Sequence, residues 1–116
     1  MREADRDLIR LQHMLESIRN VNKFMEGMTL ADLDDNPMLY YAVVKNIEII
    51  GEAAYMLTQD FIKSHPQTPW KFIIKMRHIL VHGYYQIEAH QLYNVYTEDL
   101  PLLLPQIKGY VEELSR

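Results

Sequence analysis

Apolar residues recur along this chain at intervals of three and four, and the strict alternation of a β-strand is hard to find. From about Ala4 to Met25, the residues Leu8, Leu11, Leu15, Ile18, Asn22 and Met25 fall on one face of a helix. Glu26 and Gly27 end it, with glycine near the C-cap. Thr29 to Asp35 reads as a connector with room for one helical turn. A second helix starts at Asn36–Pro37. Asparagine suits the N-cap, and proline suits the first helical position, where its missing N–H would have no partner anyway. Its stripe is Val43, Ile47, Ile50, Ala54 and Leu57.

Gly51 lies inside that second helix, where it costs about 1 kcal/mol relative to alanine. Close approach of another helix, or of a ligand, would account for it. The run from His65 to Trp70 contains two prolines and breaks the pattern. Thr68 and Pro69 repeat the N-cap and first-position pairing, so a third helix begins at about Pro69. It is expected to turn Phe72, Ile73, Met76, Leu80 and Val81 inward and to end at Gly83, before a loop from Tyr84 to Glu88. A fourth helix runs from about Ala89 to Leu114 on Leu92, Val95, Leu103, Ile107, Tyr110 and Leu114. Pro101 and Pro105 fall within it and predict a bend near Asp99 to Pro101. Four long helices with short connections imply an all-α, antiparallel four-helix bundle. The 116 residues contain no repeat and no linker, so positions 1–116 read as one domain.

The chain has no cysteine, which excludes disulfides, thiolate metal ligands and a cysteine nucleophile. No apolar run approaches the roughly 18–20 residues that span a bilayer. The first ten residues are charged from the second position and lack the apolar stretch of a signal peptide. A cytoplasmic protein without membrane attachment is expected. The net charge of −4 argues against a general nucleic-acid binder, but its distribution matters more. Between Phe61 and Ile87 there is no Asp or Glu, while Lys63, Lys71, Lys75, Arg77, His65, His78 and His82 all fall there. The pattern predicts a positive segment on an acidic body.

The end of the third helix, Arg77 to Tyr85, gathers an arginine, two histidines and two tyrosines. Three readings compete. The tyrosines can simply cap the bundle with their rings. His78 and His82, one turn apart on one face, can supply two metal ligands, with Glu52 or His90 recruited by the fold as a third. Or Arg77 and His82 can serve phosphodiester chemistry. Their offset of five places them about 140° apart around the axis and about 7.5 Å along it, so they can flank a groove. Arginine offers a planar charged fork for phosphate oxygens, and histidine exchanges a proton near neutral pH.

Arg77-x4-His82-Gly83-Tyr84 resembles the Arg-x4-His-x-Tyr motif of the HepT-like toxins, a branch of the HEPN superfamily. Three other segments agree in order: Ile49 to Ala54 is similar to that family's Gly-Glu-Ala helix, His65-Pro66-x-x-Pro69-Trp70 to its break before the motif helix, and Asp99-Leu100-Pro101 to its Asp-Leu-Pro. The resemblance runs from about residue 5 to 114. It implies an all-helical, HEPN-like homodimer and a metal-independent endoribonuclease without cofactor. This would be the toxin of a type VII-like toxin–antitoxin system whose partner is a minimal nucleotidyltransferase (MNT). Arg77 and His82 would then be catalytic and Tyr84 the acceptor of AMP from the antitoxin, with Glu52, His78 and Lys75 in support. A dimer with its third helices near the axis would bring two Arg77–His82 pairs to one cleft and bury the region of Trp70, Phe72 and Tyr84; higher assemblies with the antitoxin are conceivable. Two other classes stay open: an inactive RNA- or nucleotide-binding module, and a dimeric helical adaptor for the nucleotidyltransferase.

Overall fold

The computed structural model describes residues 2–83 and 87–116, and among them there is no β-strand. Helix α1 spans Glu3–Met25 and ends as its glycine requires. Gly27 takes a φ of +73°, and the Met28 amide returns to the Met25 carbonyl at 2.9 Å. The connector does hold a helical turn, α2 (Leu30–Asp35), opened by a reciprocal cap between Thr29 and Asp32. Helix α3 (Pro37–Tyr55) begins where the Asn36 side chain accepts the Leu39 amide at 3.2 Å.

A short helix, α4 (Gln59–Ser64), fills the stretch between Leu57 and the proline-rich break. The pattern of apolar residues is too short there to register. Its start is held from far away in sequence: the buried Asp7 carboxylate of α1 accepts the Thr58 amide at 2.9 Å and the Thr58 hydroxyl at 2.7 Å. Helix α5 (Trp70–Gly83) carries the motif. Thr68 is buried, and its hydroxyl turns to Gln106 (2.8 Å) and Tyr110 (2.6 Å) on the last helix instead of capping α5.

The long fourth helix is interrupted. Helix α6 (Ala89–Asn94) passes into a π-helical turn, Val95–Asp99, and then into α7 (Leu100–Leu114). The expected irregularity is therefore present, just upstream of Pro101. Proline has no N–H to return to the carbonyl of Thr97, and just before it the Leu100 amide donates to the Val95 carbonyl rather than to that of Tyr96, widening the turn by one residue.

Helix α3 lies at the centre, packed against α1 on one side and α5 on the other, and α1 also packs against α7. The expected stripes of α1, α3 and the last helix face this core, except that Leu8, Asn22 and Leu114 are only half-buried, and Met14, Val21, Val44 and Ala53 join them. Truncating a fully enclosed residue such as Ile18 or Ile107 to alanine should cost about 2–5 kcal/mol. Helix α5 departs from expectation. Trp70, Ile73 and Leu80 are buried, but Phe72 is 44% exposed and Val81 39%. Phe72 and Val81 sit at the edges of the α3–α5 contact, each lining a cleft with α3 residues, Ile47 and Ile50 for Phe72 and Glu48 and Ile49 for Val81, so each keeps part of its side chain in solvent. Trp70 is likewise not free for a partner. It packs near Phe61 and Tyr110, and its indole N–H donates to the His65 carbonyl at 2.9 Å.

Candidate active site

The site is built where α5 crosses α3. A β-carbon on Gly51 would lie 3.0 Å from the Ile73 carbonyl oxygen and 3.1 Å from the Arg77 α-carbon, and would collide with the Arg77 side chain. Glycine at this position is what lets the backbone of α5 pass so near, as the cost of a mid-helix glycine suggested. The next residue on α3, Glu52, grips the arginine: its Oε2 lies 2.7 Å from the Arg77 Nε. One turn further, the Tyr55 ring lies under the guanidinium, with 5.6 Å from the Arg77 Cζ to the ring centroid. Three α3 residues, Gly51, Glu52 and Tyr55, thus surround the arginine. Its side chain remains 28% exposed, which leaves surface for a ligand.

Arg77 stands between two clefts. One, of about 350 Å³, is lined by Tyr55, Lys71, Ile74, Lys75 and His78 with Arg77 itself. The other, of about 300 Å³, runs between α1, α3 and α5 and carries Arg10, His13, Lys45, Glu48 and Glu52 beside Arg77. Lys75 and His78 line the first cleft together with Arg77. His82 is exposed in the last turn of α5 and lines neither cleft; its ring centroid is 4.6 Å from that of His78. The angular offset of five residues is what separates His82 from the arginine within one chain.

Of the residues that a metal site at His78 and His82 would have to recruit, Glu52 is engaged by Arg77, and His90 lies 3.2 Å from Glu88. No group of three or more potential ligands forms among the described residues. Tyr84, the expected acceptor of AMP, and its neighbour Tyr85 lie outside the described residues. Arg10, His13 and Lys45 were not legible as site residues, because only the packing of α1 on α3 brings them to Arg77. No described helix is long and apolar enough to cross a membrane.

Comparison with known proteins agrees with this architecture. Over 98 residues the chain is 34% identical to "Putative RNase MJ1380" of Methanocaldococcus jannaschii, covering 84% of this chain and 90% of that protein. Over 106 residues it is 31% identical to "Probable ribonuclease HepT" of Thermococcus cleftensis, covering 91% and 93%. A longer M. jannaschii protein, "Gamma-glutamylcyclotransferase and putative RNase MJ0434", is 34% identical over 108 residues, which are 93% of this chain but 49% of that one. No solved structure matches the chain. The family model described as "Ribonuclease HepT-like" matches residues 14–110, and the chain belongs to the HepT-like ribonuclease family.

Proposed function

We propose that the protein is a metal-independent endoribonuclease, the toxin of a toxin–antitoxin pair, in which Arg77 and His82 act on the phosphodiester. The observation that carries this reading is the mounting of Arg77: locked at a helix crossing by Gly51, Glu52 and Tyr55, yet open to two basic clefts. A charge held in place before substrate arrives is what stabilisation of a phosphorane-like transition state needs. His82 takes the proton of a ribose 2′-hydroxyl. The freed oxygen attacks phosphorus, and the bond to the 5′-oxygen breaks. A second histidine gives that leaving oxygen its proton. The products are a 2′,3′-cyclic phosphate and a 5′-hydroxyl.

One chain supplies one motif histidine, and His82 does not line the clefts at Arg77. A homodimer of four-helix bundles that brings two Arg77–His82 pairs together answers both needs. The apolar surface for it lies along α5 and α7, where Phe72 (44% exposed) and Leu102 (72%) flank a groove of about 170 Å³. Trp70, spent inside the chain, takes no part. The toxin is silenced when an MNT-type nucleotidyltransferase transfers AMP from ATP to the phenol oxygen of Tyr84, two residues beyond His82, releasing pyrophosphate and the phenol proton. The bulky anion then occupies the space that RNA would use.

Incubating the purified protein with RNA in EDTA, beside His82→Ala, tests the reading. Cleavage by the wild type alone, leaving cyclic phosphate ends, is expected. An intact substrate, or equal cleavage by the variant, overturns it.

A further inference from the structure

The cleft between α1, α3 and α5 belongs only partly to the motif helix. Arg77 and Glu52 form one end. The rest comes from Arg10 and His13, one turn apart on α1, and from Lys45 and Glu48, one turn apart on α3. Arg10, His13 and Lys45 have no ion-pair or hydrogen-bond partner among the described residues. Glu52 is already held by the Arg77 Nε. Arg10, Lys45 and Arg77 therefore stand against Glu48 and Glu52 in a concave site, on a chain whose net charge is −4. An excess of positive charge in a concave site attracts a polyanion, and a cleft wall of low dielectric strengthens the attraction. Among the described residues no Phe, Tyr or Trp lines this cleft, and its charged side chains suit the strand's phosphates.

We propose that this cleft is a phosphate subsite, in which Arg10 and Lys45 hold the backbone of a single-stranded RNA beyond the phosphate that lies at Arg77. The inference rests on the ribonuclease reading and extends it from one phosphate to the strand. A volume of about 300 Å³ is at the small end of ligand pockets and suits a phosphate with its ribose. Contacts to phosphate position a strand without reading its sequence, so this part of the site is indifferent to base identity. Glu48 faces the same phosphate as a like charge and weakens its binding.

The probe is a 12-nucleotide single-stranded RNA with 2′-O-methyl riboses, which binds without being cut. Its affinity is measured by fluorescence anisotropy across a salt series. The double variant Arg10→Gln/Lys45→Gln is expected to bind about tenfold more weakly. The slope of log affinity against log salt should fall by about 1.4, since each phosphate contact on a single strand contributes about 0.7. Glu48→Gln is expected to bind a few-fold more tightly, an opposite sign that misfolding does not produce. Lys63→Gln/Lys108→Gln removes the same charge outside the cleft and serves as control. The proposal is overturned if the two double variants lose equally, if Glu48→Gln fails to gain, or if the wild type binds no RNA. Cleavage of the unmodified RNA by the wild type is followed alongside. Binding as expected without cleavage sinks the ribonuclease reading and leaves the subsite standing; cleavage without the Arg10–Lys45 effect does the reverse.

Discussion

Gly51 of α3 lies so close to Arg77 of α5 that a β-carbon on the glycine and the side chain of the arginine would claim the same space. The two helices can cross here only because one of them has no side chain. Gly51→Ala should push α5 outward and cost about 1–3 kcal/mol, as overpacking usually does. Urea unfolding reads the loss. RNA cleavage should fall further than stability explains, because the displaced residue is Arg77. A variant as stable and as active as the wild type removes this crossing from the account.

Arg77→Ala and His82→Ala should each lower RNA cleavage by about 10²–10⁴-fold, the usual effect of losing a general acid–base or an electrostatic group. Both side chains are partly or fully exposed, so far-UV circular dichroism should stay that of the wild type. Cleavage by the wild type should continue in EDTA. Loss in EDTA with recovery on adding zinc would favour a metal at His78 and His82.

Glu52→Gln separates support from stability. The Glu52–Arg77 pair is partly exposed, and such pairs contribute about 0–1 kcal/mol. The melting temperature should barely move. Cleavage should drop, because the Arg77 Nε loses its charged anchor. An unchanged rate would make Glu52 an ordinary surface carboxylate.

Tyr84→Phe should keep RNA cleavage and lose silencing by a cognate nucleotidyltransferase with ATP. Mass spectrometry of the silenced wild type should place AMP on Tyr84. AMP on Tyr85, or silencing by modification of the phenylalanine variant, would move the switch elsewhere without touching the nuclease assignment.

Much of this was written locally in the chain. Asn36–Pro37 announced a helix start through its own cap chemistry, and Gly51 announced a close crossing through its cost. The Arg-x4-His-x-Tyr run and its companion segments named the family that the comparisons also find. What periodicity could not supply was the direction of residues at the edge of a stripe. Phe72 and Val81 fit an inward pattern, but α5 packs mainly on α3 and leaves them at the edges of that contact, partly in solvent. Nor could it supply the company Arg77 keeps. Arg10 and Lys45 reach it through the α1–α3 and α3–α5 contacts, and no spacing along the chain encodes that.

Asp99 gives a prediction in pH. Burial, with a smaller effect from Glu98, raises its carboxyl above the ordinary range. An acid whose folded-state pKa is raised favours the folded state when protonated. That advantage is complete below its unfolded pKa and is lost as pH rises through the folded one. At pH 7 the charged form therefore weakens the fold. Asp99→Asn should raise the melting temperature at pH 7, and the gain should shrink as the medium is acidified towards pH 3.8, the ordinary value. A gain that is the same at both ends of that range would assign it to something other than the charge.

The bond between Asp7 and Thr58 makes the first turns of the chain answerable for the far end of the fold. Thr58 opens α4, Phe61 of α4 packs beside Trp70 with ring centroids 6.0 Å apart, and Trp70 opens the motif helix. A shortened protein that starts after Asp7 would leave the α4 start without its buried acceptor, and the loosening would pass along that line to the base of α5. The damage would surface as a frayed motif helix, far from the cut, and a truncation map of activity would misplace the active site at the N-terminus.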